Sequence, residues 1–189
     1  MQREIQDEFL DALARRSAAV VTGHPFEPDT AMGPLVDAAH ADTVAAMITE
    51  AGAGAVCTGG RRLSIEGSDC CLKPTILRGL GPDVRAAREE IFGPVLTVIP
   101  FDTEQDAVRI ANDSIYGLAA SVWTGDLSRA LRVVDQILAG TVSVNTVGAL
   151  SAGTPFGGFK QSGFSRDLSA HALDNYSGLK TTWLHFEQV

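Results

Sequence analysis

The chain has 189 residues, room for one domain on a prior of about 150 residues each, with a small appendage at most. Hydrophobic residues make up 45% and charged residues 20%, a balance that excludes a disordered chain. The 15 Lys and Arg against 23 Asp and Glu leave a net charge of −8, which argues against nucleic acid or an anionic membrane as the main partner.

The apolar runs are short, so no transmembrane helix is expected. The acidic, polar start from Met1 to Glu8 lacks a signal-peptide layout. Cys57, Cys70 and Cys71 include no C-x-x-C pair, and adjacent Cys70 and Cys71 are poorly placed for a structural disulfide. A reduced, cytoplasmic chain is expected. Surface scaling with mass puts the folded area near ~8,700 Å², enough for a sizeable core without disulfides or metals.

Along the chain, Ile5, Phe9 and Leu13 share one helical face, which predicts an amphipathic helix over residues 3 to 20. The segment His24 to Thr30 is turn-rich. Val44, Ile48 and Ala51 predict a second helix over residues 36 to 51, ended by Gly52 and Gly54. Ala55-Val56-Cys57 is a short strand, and Arg61-Arg62 a solvated turn. Val95 to Phe101 is nearly all apolar and suits a strand buried on both faces. Thr103 and Asp106 stand at capping-box spacing before a helix with Ala107, Val108 and Ala111 inward. Leu118 to Thr124 is a strand. Asp126 caps the next helix, whose inward stripe is Leu127, Ala130, Leu131, Val134 and Leu138. Thr141 to Asn145 is a strand, a Gly-rich loop runs from Gly148 to Gly163, residues 168 to 176 are helical, and Leu179 to Phe186 is a last strand. Alternating helices and buried strands predict an α/β fold, three-layer, with a largely parallel open sheet.

Ligand sites in open α/β sheets gather at the carboxyl ends of strands, and two loops are read as having that placement. One is Arg88-Glu89-Glu90-Ile91-Phe92-Gly93-Pro94, before the Val95 strand; the other runs from Asn145 to Gly163 and holds Pro155-Phe156-Gly157-Gly158-Phe159-Lys160-Gln161-Ser162-Gly163. Glycines there permit positive φ and close backbone approach, although glycines alone fit a plain packing loop equally well. Gly52-Ala53-Gly54 is no dinucleotide fingerprint, because it follows a helix and precedes a strand, and Cys57 stands where the third Gly belongs. His24, His40, His171 and His185 are scattered without ligand spacing, so no metal is expected. Small buried thiols are the simpler reading of Cys57, Cys70 and Cys71.

The two loops together resemble the C-terminal signatures of the NAD(P)-dependent aldehyde dehydrogenase superfamily, E-E-I-F-G-P-V and P-F-G-G-x-K-x-S-G. Ala31 to Val36, Lys73-Pro74-Thr75, Ala111 to Leu118 and Gly140 to Asn145 also match, so the resemblance covers essentially the whole chain. The ending from Arg166 to Tyr176 is similar to the branch of γ-glutamyl-γ-aminobutyraldehyde dehydrogenases. The resemblance implies a catalytic-type domain over residues 1–178 and an oligomerisation strand over 179–189. It implies that Glu90 holds the nicotinamide ribose hydroxyls, a task that suits a carboxylate accepting two charge-assisted hydrogen bonds. It implies that Phe92 packs beside the nicotinamide and that Leu150 and Phe156 line the substrate side. Gly157, Gly158 and Lys160 look like scaffold.

Aldehyde oxidation in that family needs a nucleophilic Cys, a Glu base for water and an oxyanion donor. The chain matches the family only downstream of those residues and of the cofactor domain. It is therefore expected to be a truncated relative, inactive alone in that reaction, with no cofactor for the chain alone and NAD(P) implied only by the resemblance. Two other classes stay open. One is a repurposed small enzyme catalysing a nicotinamide-independent cyclisation, proton transfer or hydration on a metabolite, with Glu90, Asn145, Lys160 and His171 as candidate catalytic groups. The other is a non-catalytic partner of a full-length homologue. Expected partners are a small-molecule aldehyde or metabolite, a second copy in a homo-oligomer (a dimer), and a complementary N-terminal half.

Overall fold

A computed structural model of the chain describes residues 1–81 and 83–187. The contacts divide it into two units, Met1–Thr103 and Glu104–Val189.

In the first unit a 3-10 turn at Arg3–Ile5 leads into α1, Gln6–Ala18. Helix α2 spans Ala38–Glu50, and the Asp37 carboxylate caps it by accepting a 2.7 Å hydrogen bond from the His40 backbone N–H. Gly52 ends the run at φ +89, a conformation that strains any residue with a Cβ. Strands β1 (Val56–Thr58), β2 (Arg62–Ile65), β3 (Ser68–Leu72) and β4 (Thr75–Arg78) follow, then a one-turn helix α3 (Arg85–Arg88) and β5 (Val95–Val98). One sheet has the order β1–β4–β5, with β4 parallel to β5 and antiparallel to β1; β2 and β3 form a separate antiparallel hairpin.

The unit's core lies on both sides of β4. Ile76 joins Leu10 of α1 and Val98 on one side, and Leu77 joins Val44, Ile48, Leu72 and Ala86 on the other, as the period-2 alternation of a strand requires. The doubly buried strand is therefore β4. The expectation of such a strand at Val95–Phe101 is corrected: β5 is a sheet edge, stops at Val98 and leaves Leu96 49% exposed. The stripe expected on α1 is corrected as well. Leu10 is buried and Leu13 packs against its cluster, as expected of Leu13, while Ile5 and Phe9 are exposed, because α1 packs on the three-residue β1 and only a narrow face is covered. The α2 stripe holds, with Val44 and Ile48 buried.

Arg62 is not in a solvated turn. It starts β2, donates from Nε (2.9 Å) and Nη2 (2.6 Å) to the Asp69 carbonyl across the hairpin, and pairs with Asp42 of α2. The buried Thr75 hydroxyl donates to the Lys73 carbonyl (2.8 Å) and accepts from the Gly60 N–H (2.9 Å), so no polar group is stranded at the start of β4. Arg3 forks onto Asp102 at 2.6 and 2.9 Å, and the guanidinium holds that carboxyl below the usual carboxylate range.

In the second unit α4 (Glu104–Asn112) precedes β6 (Ala119–Val122), and α5 (Leu127–Gln136) is the crossover to β7 (Thr141–Val144), which pairs with β6 in parallel from Ala119↔Thr141 to Val122↔Val144. Asp126 caps α5, accepting from the Arg129 N–H at 3.1 Å. Glu104 binds Arg132 at 2.9 Å and lies 3.6 Å from Arg129, tying α4 to α5; Arg132 lowers its pKa. The stripe expected to point inward on α5 is corrected. Ala130 and Val133 are buried, whereas Leu127 and Leu131 are exposed and Leu138 lies beyond the helix. A two-stranded sheet covers only part of so wide an apolar stripe. On α4, Ala107 and Val108 are half-buried and Ala111 is exposed, again against the expected inward face.

The Gly-rich loop closes on this unit as a knot. Phe159 N–H donates to the Gly117 carbonyl (2.9 Å), Gly117 N–H to the Ser162 hydroxyl (3.0 Å), and Gly140 N–H to Gly117 (3.0 Å). Arg166 donates to the Gly158 carbonyl at 2.8 Å and stacks its guanidinium 5.2 Å from the Phe159 ring centre. A 3-10 helix, Ala170–Asn175, takes the place of the helix expected over 168 to 176.

The strand expected at Leu179–Phe186 is not formed. Residues 177–187 pair with no strand among the described residues, and Trp183 is 92% exposed. A strand exists only through its ladder, and none is formed by this segment among the described residues. Gln188 and Val189, the last residues of the expected 179–189 segment, lie outside the described residues. The accessible surface is 12,885 Å², well above the ~8,700 Å² that the mass predicts for a folded monomer. Two separate bodies of half the mass would expose ~10,400 Å², so division into two units accounts for only part of the excess.

The α/β class holds. Among the described residues two pairings are parallel and two antiparallel: the β1–β4–β5 sheet is mixed, β2–β3 is antiparallel and β6–β7 is parallel. None of the helices is long and apolar enough to cross a membrane, among the described residues.

Candidate cofactor-facing site

The first unit carries Glu90 and Phe92 on the loop between α3 and β5. Its backbone is held at several points. Ile91 packs on the Val44 cluster, Gly93 N–H donates to the Ile91 carbonyl (2.7 Å), Val95 N–H to Gly93 (2.8 Å), and Thr75 N–H to Pro94 (2.8 Å). The loop therefore sits at the amino end of the parallel β4/β5 pair. The carboxyl-end rule that selected it is corrected, because it precedes its strand. On this anchored backbone the Phe92 side chain is 74% exposed. The Glu90 carboxylate is exposed and makes no hydrogen bond or ion pair among the described residues, while neighbouring Glu89 is engaged with Arg85 at 2.7 Å. The Glu90 and Phe92 side chains are thus both open to solvent on one anchored loop.

The second unit holds the other singled-out residues, and the structure gives several of them local partners. Asn145, at φ +52 after β7, uses both ends of its amide on Thr124: the oxygen accepts from Thr124 N–H and the nitrogen donates to its carbonyl, each at 2.9 Å. Lys160 Nζ donates to the Asn112 and Ser114 carbonyls, both at 2.9 Å, behind the last turn of α4. Phe156 is half-buried and exchanges two backbone hydrogen bonds with Asp167 (2.9 and 2.7 Å). Leu150 is exposed, and exposed His171 lies 3.8 Å from Asp174.

The three thiols are free. Cys71 is buried in β3, and burial, then neighbouring Cys70, pushes its pKa up, away from a thiolate. Cys57 packs against the Leu10, Ile76 and Val98 cluster. No group of three His, Cys, Asp or Glu that could hold a metal ion is found among the described residues.

Sequence reading passed over His40 as one of four scattered histidines. Its Nε2 lies 2.5 Å from the Phe92 carbonyl oxygen, and its ring meets the Phe92 ring edge-on at 6.1 Å. The available signal was position: His40 stands three residues after the Asp37 cap, in the first turn of α2.

The structure defines an α/β protein that displays Glu90 and Phe92 on an anchored loop. Residues 1–182 match the profile of the aldehyde dehydrogenase family, and the chain belongs to that family. It is 44% identical over 188 residues to the NADP/NAD-dependent aldehyde dehydrogenase PuuC of Escherichia coli K12, covering 99% of this chain and 37% of that protein. It is 42% identical to the betaine aldehyde dehydrogenase of Sinorhizobium fredii, covering 100% of this chain and 39% of that one. Among solved structures it is similar to the P. syringae indole-3-acetaldehyde dehydrogenase AldA, solved as a mutant with NAD+ and IAA (TM-score 0.91, 42% identity, 98% of this chain and 38% of that one). It is also similar to the Staphylococcus aureus betaine aldehyde dehydrogenase in complex with NAD+ (TM-score 0.86, 37% identity, 93% and 36%). The chain thus spans less than two-fifths of the length of these relatives.

Proposed function

We propose that the chain contributes nicotinamide-side contacts to an NAD(P)-dependent conversion of aldehydes to carboxylic acids. The carrying observation is that the Glu90 carboxylate is exposed and makes no hydrogen bond or ion pair among the described residues, with exposed Phe92 two residues further along the same anchored loop. Glu90 accepts the two ribose hydroxyls, and Phe92 lies against the nicotinamide. The dinucleotide, when bound, is the hydride acceptor of such an oxidation. Leu150 and Phe156 supply apolar contacts to the aldehyde. Asn145 and Lys160 act as scaffold, since their polar atoms are already engaged with Thr124, Asn112 and Ser114. None of the three cysteines is assigned the covalent step. Cys71 is buried with a raised pKa, and Cys57 is packed into a hydrophobic cluster.

Titration of NAD+ into the chain, followed by the Phe92 ring resonances, is the test. A partial site with two contacts gives affinity on the order of millimolar. Glu90→Gln weakens it about tenfold by removing a charged acceptor, and Glu89→Gln leaves it unchanged. Equal affinity for the Glu90 variant and the unmodified chain, or no perturbation of Phe92 at all, overturns the reading.

Exposed Leu179, Trp183, Leu184 and Phe186, together with the surplus surface, support assembly with a second copy of the chain. Light scattering is expected to show a dimer or larger species at micromolar concentration; a clean monomer contradicts the proposal.

A further inference from the structure

We propose that His40 is a positioning residue. It fixes the backbone of the Glu90–Phe92 loop so that both side chains meet a ligand as a preformed pair. The inference rests on the cofactor-facing reading of that pair and extends it to a residue outside the loop.

The geometry runs through three links. The Asp37 carboxylate accepts from the His40 backbone N–H at 2.7 Å and fixes the first turn of α2. The His40 ring then reaches the Phe92 carbonyl at 2.5 Å from Nε2. A carbonyl oxygen only accepts, so Nε2 carries the proton. The Phe92 ring edge contact steadies the imidazole from the side. Further along α2, Val44 backs the same loop: a Cβ on Gly93 would lie 3.2 and 3.3 Å from the two Val44 methyls. Main chain is gripped by α2 while the Phe92 side chain stays open, the arrangement expected of a loop whose binding side chains are held ready.

The test separates this role from space filling. In a glutamine at position 40 the side-chain nitrogen falls where Nε2 lies, whereas in an asparagine it falls where Nδ1 lies. A positioning hydrogen bond therefore survives His40→Gln and is lost in His40→Asn and His40→Ala. The Gly93 N–H is the reporter, since it shares a peptide unit with the Phe92 carbonyl and is bonded to Ile91. Its exchange protection is expected to fall about tenfold in His40→Ala and His40→Asn and to stay within about twofold in His40→Gln. The amide 15N shift of Gly93 should follow the same order. Unchanged protection in His40→Ala, or Gln and Asn variants that behave alike, overturns the proposal. This readout needs no cofactor. Absence of NAD+ binding by the unmodified chain overturns the nicotinamide reading and leaves the clamp standing. A failed clamp beside an intact Glu90→Gln effect overturns this inference alone.

Discussion

Gly140→Ala destabilises the second unit by about 3 kcal/mol, a fall of roughly 12–24 °C in its thermal midpoint. A Cβ on Gly140 would lie 1.9 Å from the Gly157 carbonyl oxygen, 2.8 Å from its carbon and 3.2 Å from the Gly158 Cα. All three obstacles are backbone, so no rotamer change relieves the clash. Retreat of the loop at Gly157 is blocked from behind, where a Cβ on Gly157 would itself lie 2.1 Å from the Ser165 carbonyl oxygen. The loop must therefore lift, breaking bonds that tie it to Gly117 and, through Lys160, to the end of α4. Fluorescence of Trp123, which follows β6 in the same unit, reports the transition. Gly125→Ala is the control, since nothing lies within 4 Å of its Cβ and its φ is not positive; its midpoint should move by no more than about 1–2 °C. A Gly140 variant within about 1 kcal/mol of the unmodified chain would refute the knot.

Leu77→Ala costs the first unit about 3–4 kcal/mol, toward the upper part of the range for buried leucines. Leu77 is 0% exposed and sits where α2, β3, β4 and α3 converge through Val44, Ile48, Leu72 and Ala86. Strands and helices meet it from several elements, so the cavity collapses poorly and the lost contacts are not recovered. Amide exchange on β4 and β5 measures the loss, seen as faster opening of both strands. Leu96→Ala on the edge strand, where the side chain is half exposed, should cost less than about 1 kcal/mol. Equal effects at both positions would mean that the core does not centre on β4.

The helices and parallel strands were legible where periodicity and caps agreed. Asp37 and Asp126 cap the helices they precede, and β6 and β7 fall inside the segments that their β-prone runs outline. The β2–β3 hairpin was missed although its turn carried a signal: Glu66 and Gly67 both have positive φ (49 and 81), the two-residue pattern that Gly at the second position favours. Of the candidate site, Glu90 and Phe92 were legible through their motif, and the structure supplies the reason they stay open. His40 was not legible, because a histidine in a helix's first turn has no spacing signature. Only folding brings it to Phe92, fifty-two residues later.

Local chemistry in the chain is enough to specify α/β elements, their caps, the glycines that allow close approach and the motif residues of an aldehyde dehydrogenase. Which apolar stripe of α1 or α5 is covered, which strand lies at the centre, and whether Leu179–Phe186 becomes a strand were settled in three dimensions. Burial and pairing belong to what another segment brings against a residue. A stripe wider than its covering sheet leaves leucines in water, and a β-prone segment without a neighbouring edge has no ladder to join.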